Sequence, residues 1–302
     1  MQMILDKLRD GRKALMNVDV SDILVEIDEN TRSRLQSVLI EMYQDIYQVC
    51  SNNGITPFLI AGSALGAIRH KGFIPWDDDL DIGMTRDDYE RFITAYEKEL
   101  SDRYILNAPN YSANPKTRFA KIMKRGTIFK DISDTDDPET NGIFIDIFVF
   151  ENIPRNKFVR KIKGAYANAM MFISSQVYLT QNNNQYFEEL YSRAGKSNYS
   201  TRMMIGKIFS FWSAERWFSY VDKVSQCSKK TGLYGSVKGR RHYFCPYFEE
   251  KDMFPPKMVD FDRIKVPVFN NIEGYLTRNF GDYMKIPPVE KRERHFIREI
   301  QF

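Results

Sequence analysis

Between positions 31 and 53 apolar residues recur at Leu35, Val38, Leu39, Met42, Ile46, Val49 and Cys50. Steps of three and four predict a helix entered after Asn30 and closed by Asn53-Gly54. Pro57 then opens an apolar strand over 58–61 that ends at Gly62-Ser63, and a short helical piece leads to Arg69-His70-Lys71. A turn marked by Gly72 and Pro75 delivers the run Asp77-Asp78-Asp79-Leu80-Asp81-Ile82. With strand periodicity, Asp79 and Asp81 share one face while Leu80 and Ile82 take the other. Thr85 is placed to cap a helix over 86–100 with Tyr89, Phe92, Ile93 and Tyr96 on one side. Short strands are predicted over 104–106, 119–123 and 127–129, and an acidic, proline-containing solvated loop over 131–141. That loop lacks the ligand spacing of a calcium-binding loop. A dense strand signal follows over 142–150, apolar throughout except for Asp146.

From 156 to about 230 the pattern is helical, with breaks near 182–184 and 195–198. The first of these helices starts basic (Arg155, Lys157, Arg160, Lys161, Lys163) and carries Phe158, Val159, Ile162, Ala165, Tyr166 and Ala169. A later one carries Met203, Met204, Ile208, Phe211, Trp212, Trp217 and Phe218. The remainder turns strand-like and proline-rich, with an extended run over 261–269, a short helix from Asn271 stopped by Gly281, and Pro287-Pro288 beyond. The organisation expected is an N-terminal helical region over 1–56, a catalytic core over 57–153, a helical, basic and aromatic subdomain over 154–241, and a segment over 242–302 that completes the site. No internal repeat or low-complexity linker interrupts it.

At 302 residues and 43% hydrophobic, the chain can bury a sizeable core, and 28% charged residues with 14% aromatics exclude a disordered composition. A net charge of +4 does not by itself point to nucleic acid, and no readout motif is present. Cys50, Cys227 and Cys245 have no paired spacing, which argues against a disulfide framework and a cysteine zinc site. The first ten residues are charged, without a signal-peptide core, and no apolar run is long enough to span a bilayer. The expected location is cytoplasmic. Basic, aromatic helices in the middle also suit peripheral contact with an anionic membrane, against the plainer reading of a helical subdomain with a solvated face.

Two carboxylates one pleat apart repel unless a cation sits between them, and a charged residue in a strand as apolar as that around Asp146 needs a partner. An edge strand with Asp146 facing water is the plain alternative. The sharper one makes Asp146 a third carboxylate facing Asp79 and Asp81. Three carboxylates downstream of a Gly-Ser turn are what metal-dependent phosphoryl transfer requires. Mg²⁺ (or Mn²⁺ in its place) takes oxygen ligands, offsets pyrophosphate charge and stabilises the leaving oxygen. Gly62 would let backbone approach a phosphate, with N–H groups of a helix starting near Ser63 pointing at it, and Arg69, His70 and Lys71 would add positive charge. Asp77 and Asp78 are read as turn caps or hydrogen-bond partners of the ligands. Trp76 either packs after Pro75 or stacks on a base or alkylammonium group.

The order Gly-Ser, Asp-x-Asp, then a later strand acid is the nucleotidyltransferase pattern. The run Gly62-Ser63-Ala64-Leu65-Gly66-Ala67-Ile68-Arg69-His70-Lys71-Gly72-Phe73-Ile74-Pro75-Trp76-Asp77-Asp78-Asp79-Leu80-Asp81-Ile82 resembles the signature of the LicD family, relatives of fukutin and of bacterial phosphocholine transferases. Phe144-Ile145-Asp146-Ile147-Phe148 resembles that family's third acidic strand. Glu273-Gly274-Tyr275-Leu276, Gly281-Asp282-Tyr283-Met284, Pro287-Pro288 and His295 resemble its C-terminal motif. The resemblance implies an α+β fold, a nucleotidyltransferase-like core with a mixed sheet flanked by helices plus a helical insertion or subdomain. It implies transfer of a phosphorylated alcohol, most often phosphocholine, from a CDP-alcohol to a sugar hydroxyl of a cell-surface glycan precursor (lipopolysaccharide, teichoic acid or capsule), releasing CMP. Asp79, Asp81 and Asp146 would hold the metal, with Asp146 as a ligand or as the base. Gly62, Ser63, Arg69, Lys71 and His295 would contact donor phosphates. The acceptor would be a glycan, lipid-linked at the inner membrane face if the basic middle region holds it. Two alternatives stand beside this reading: a nucleotidyltransferase releasing pyrophosphate from CTP, and a non-catalytic glycan- or membrane-binding relative.

Overall fold

A computed structural model describes residues 27–131, 141–182, 188, 198–289, 292 and 297–302. Helix α1 (Glu29–Asn52) begins slightly earlier than its apolar spacing predicts, because the Asp28 side chain accepts the Thr31 N–H at 2.6 Å and caps it. Its stripe of Leu35, Leu39, Met42, Tyr43, Ile46 and Cys50 is buried. Strand β1 (Phe58–Leu59) is shorter than expected. Ile60 N–H makes a last ladder bond to Asp81 O at 3.2 Å, and Ala61, in the left-handed region at φ 46°, turns the chain into helix α2 (Ala61–Arg69). Gly62 and Ser63 therefore lie in the first turn of a helix.

Strand β2 (Asp81–Thr85) leads to helix α3 (Arg86–Glu99), capped by the Thr85 hydroxyl as the sequence predicts. Strands β3 (Tyr104–Asn107), β4 (Ala120–Lys124), β5 (Ile128–Asp131) and β6 (Phe144–Asn152) follow. Of the acidic loop predicted over 131–141, residues 132–140 lie outside the described residues. In the main sheet the order is β1-β2-β6-β4-β3, with β2 and β6 parallel and the other neighbours antiparallel. Strand β6 is central, flanked by β2 and β4, and not an edge strand. Its position explains a run that is apolar on both faces.

Helix α4 (Lys157–Gln181), capped by Asn156, is followed by α5 (Asn198–Phe209) and α6 (Ala214–Ser225). The stretch 154–241 is not purely helical: strand β7 (Leu233–Gly235) pairs with the end of β6 and with β8 (Phe248–Glu249), so the main sheet extends into the helical region. A core of Ile153, Ala167, Met171, Val221, Val237 and Tyr243 seals that junction. After the short helix α7 (Glu250–Met253), the run expected as one extended piece over 261–269 folds back at Asp262 (φ 49°). It forms the hairpin β9 (Lys257–Phe261) and β10 (Ile264–Val268). Helix α8 (Ile272–Phe280) starts at Asn271 and stops at Gly281 as predicted, and β11 (Ile297–Gln301) pairs with β5. Among the described residues no helix is long and apolar enough to cross a membrane.

Candidate active site

Helix α2 supports the site. Ser63 is 1% exposed, and its hydroxyl accepts the Asp81 N–H at 2.8 Å, fixing the start of β2 against the helix. A Cβ on Gly62 would lie 3.1 Å from Asp77 Oδ2, so the missing side chain is the space into which the Asp77 carboxylate fits. The strained Ala61 is held by its N–H, which donates to the buried Tyr275 hydroxyl at 2.9 Å. Helix α8 is thereby tied to the first turn of α2. Burial raises the Tyr275 pKa, and the nearby Asp81 charge adds to the rise.

The acids form two adjoining groups. Carboxylate oxygens of Asp77, Asp78 and Asp79 lie within 4.8 Å of one another. Asp81 lies directly opposite Asp146 on the parallel neighbour strand, and Asp146 lies opposite Lys121 on β4. Ladder contact begins one residue before β2, since the Asp146 N–H donates to Leu80 O at 3.2 Å. Leu80 and Ile82 are fully buried, as the period-2 pattern predicts. Residues in register on adjacent strands share a face and sit roughly 5 Å apart, so Asp81, Asp146 and Lys121 form one row. Lys121 Nζ approaches Asp146 Oδ1 to 3.0 Å, a charge contact without the alignment of a hydrogen bond, and stands 3.2 Å over the Phe144 ring. The next residue in the row, Asn107, accepts the Lys116 N–H at 2.9 Å. The converging carboxylates of Asp77, Asp78 and Asp79 are an oxygen donor set that suits a hard divalent cation such as Mg²⁺ or Mn²⁺ and not a soft one. The packing of Gly62 against Asp77 shows that the backbone is shaped around these oxygens.

Basic residues named from sequence fall into different roles. Arg69 Nη1 donates to the carbonyls of Tyr283 at 2.8 Å and Lys285 at 3.4 Å, clamping the C-terminal segment onto α2. Its Nε donates to His70 Nε2 at 2.9 Å. Burial lowers the Arg69 pKa against the pull of Asp77, and burial together with Arg69 lowers that of His70, consistent with a neutral, accepting imidazole. Lys71, at φ 61°, is exposed, and its carbonyl accepts the Asp262 N–H of the β9–β10 turn at 2.6 Å. Trp76 has the Arg292 guanidinium 3.9 Å over its ring and His70 edge-on, so packing contacts occupy it. His295 lies outside the described residues. Lys121 escaped the sequence reading because its place beside Asp146 depends on the β4–β6 register. Asp77 and Asp78, read from sequence as turn caps or hydrogen-bond partners, share the acidic cluster with Asp79.

Residues 54–182 match the family model described as LicD/FKTN/FKRP, nucleotidyltransferase domain. Residues 54–182 are thus similar to the LicD family. The LicD-family match spans β1 to the end of α4 and contains Asp77 to Asp81, Lys121 and Asp146. Lipopolysaccharide cholinephosphotransferase LicD of Haemophilus influenzae is 27% identical over 272 residues, covering 87% of this chain and 95% of that protein. Two uncharacterized rickettsial proteins share shorter stretches. One, from Rickettsia typhi, is 41% identical over 54 residues (18% of each chain), and one, from Rickettsia prowazekii, is 42% identical over 50 residues (17% of this chain, 19% of that protein).

Proposed function

We propose that this LicD-like enzyme transfers a phospho-alcohol, phosphocholine by preference, from a CDP-alcohol to a sugar hydroxyl of a cell-surface glycan precursor such as lipopolysaccharide. The placement of Asp81, Asp146 and Lys121 in one row across β2, β6 and β4 carries this reading. The nearly full-length similarity to a lipopolysaccharide cholinephosphotransferase supports the choice of choline and glycan. The sugar oxygen forms a new bond to the phosphorus bearing the alcohol while the bond from that phosphorus to the bridging oxygen breaks and CMP leaves. The hydroxyl proton passes to the carboxylate row as the new bond forms.

Asp79, Asp81 and Asp146 would hold Mg²⁺ or Mn²⁺, with Asp77 and Asp78 beside them. Such an ion supplies charge neutralisation on the pyrophosphate and on the leaving oxygen. Lys121 holds the Asp146 carboxylate in place and presents its ammonium to the phosphate being transferred. Ser63 and Gly62 set the positions of Asp81 and Asp77, and Arg69 fixes residues 283–285 at the mouth of the site. Lys71 and His295 remain donor-phosphate contacts by family resemblance. The acceptor is a lipid-linked glycan met at the inner face of a membrane. A panel of CDP-alcohols with Mg²⁺ and a glycan acceptor tests the reading. CMP release from CDP-choline that depends on acceptor supports it. Pyrophosphate release from CTP, or full activity without a divalent ion, overturns it.

A further inference from the structure

The first half of α4 has no partner on one face among the described residues. Phe158 is 72% exposed, and Val159, Ile162 and Tyr166 are each close to half exposed or more. The spacing 158, 162, 166 puts three of them on one helical stripe. The stripe continues onto the next helices through ring contacts. The Tyr166 and Tyr220 hydroxyls meet, Tyr220 lies 5.6 Å from Trp212, and Trp212 lies 5.7 Å from Phe211, which is 67% exposed. Ile208 and Met204, also exposed, extend it along α5. An apolar surface this long on two helices is far outside the scattered exposure of a solvated face.

Charge identifies the occupant. Helix α4 carries Lys157, Arg160, Lys161 and Lys163 and no acidic residue, and α5 carries Arg202 and Lys207, again with no acid. On α6, Arg216 lies 4.7 Å over the Trp212 ring. Long basic side chains beside an apolar stripe, with Trp and Tyr among it, match the boundary between lipid chains and anionic headgroups. Two copies of this chain meeting through the same face would set the basic residues of each against those of the other. An acidic headgroup layer removes that conflict.

We propose that the exposed face of α4 and α5, with the Phe211–Trp212 corner, is a docking surface for an anionic lipid bilayer. It leads back to the active site through packed contacts. Phe244 is packed so closely on Gly164 of α4 that an added Cβ would lie 2.8 Å from its ring. Close by, Arg241 donates to the carbonyls of Arg278 and Asn279 at the end of α8. Helix α8 in turn holds Ala61 through Tyr275. The surface thus gives a physical location to the lipid-linked acceptor, and it rests on the proposed function for that purpose only.

Flotation of the full chain with phosphatidylglycerol-containing vesicles at low salt tests the surface, with pure phosphatidylcholine vesicles as the neutral control. The intact protein should float with the anionic vesicles and release as salt rises. Phe158→Glu/Ile162→Glu should lose roughly tenfold or more in partitioning, and Lys157→Glu/Lys161→Glu should lose the preference for anionic lipid. All these positions are exposed, and an unchanged melting temperature confirms folding. Failure of the intact protein to float, equal flotation of the variants, or a dimer that the variants split without altering flotation overturns the proposal. CMP release with a soluble saccharide acceptor should be the same for intact protein and variants. Flotation without CMP release would sink the proposed reaction and leave the surface standing, and the reverse result would do the opposite.

Discussion

The parallel strands β2 and β6 carry charged groups at both ends, about 16 Å apart for five strand residues, and the two ends are built on opposite principles. At the entry, carboxylate oxygens of Asp77, Asp78 and Asp79 lie within 4.8 Å of one another, and Asp81 sits in register with Asp146. At the exit, Arg86 and Lys238 meet Glu151 and Asp222 in a buried set of two bases and two acids. Further bonds hold the set: Arg86 Nε donates to Glu151 at 3.2 Å, and Asn110 and Gln226 each donate to Asp222 Oδ2 at 2.9 Å. Burial would raise the Asp222 pKa, but Lys238 and Arg86 outweigh it and hold it at about 2. Balanced charge at the exit joins α3, β6 and α6 into one body. Accumulated negative charge at the entry is left for the proposed cation to offset. The same residue types therefore mean different things according to whether their neighbours cancel them.

Breaking each end separately should separate the two roles. Asp81→Asn should lower CMP release by about 10³-fold, the scale of losing a group that stabilises transition-state charge, with a melting temperature unchanged or raised as repulsion is relieved. A large loss of stability instead would assign Asp81 to the fold. Lys238→Met should act in the reverse sense. It leaves Arg86 alone to neutralise two buried acids, Glu151 and Asp222, and should cost about 3–5 kcal/mol in urea unfolding, while turnover per folded molecule stays near the parent value. Lys121→Met sits between these. We expect about 10²-fold lower turnover with intact folding, and a changed divalent-ion titration by tryptophan fluorescence, since the cation beside Asp146 is gone.

Acid unfolding sharpens the contrast with a smaller effect. Asp222 has a folded pKa below its ordinary value of 3.8, so its contribution is complete above 3.8 and is lost as pH falls toward about 2. That contribution is about 2 kcal/mol by linkage. Comparing the parent with Asp222→Asn by circular dichroism across this window should show the parent losing stability more steeply. Parallel curves would remove Asp222 from the network.

The elements that rest on local spacing were open to reading from the chain. The stripe of α1, the Thr85 cap of α3, the stop at Gly281 and the lone Asp146 in a buried strand depend on residues within a turn or two of one another. Where local pattern and fold differ, distant chain intervenes. β1 stops early because Ile60 pairs with Asp81 and Tyr275 receives the Ala61 N–H from 214 residues away. The single extended run over 261–269 became a hairpin because Asp262 turns back to pair its N–H with Lys71 O. The Ser63 hydroxyl takes the Asp81 N–H across 18 residues, a bond that local spacing does not show.

By itself the sequence determined which residues could serve. Periodicity put Leu80 and Ile82 in the core and left Asp79 and Asp81 facing away, and the resemblance running from Gly62 to Ile82 pointed to the LicD family. Tertiary structure alone decided the company those residues keep. Strand order and register, set by long-range pairing and core packing, place Asp146 between Asp81 and Lys121 and bring Asp222 across 136 residues to Arg86. Hydrophobic pattern is a local property of the chain, whereas the neutralisation of one charge by another depends on distance in space, so only the folded chain distinguishes the acid-rich end of β2 and β6 from the charge-balanced one.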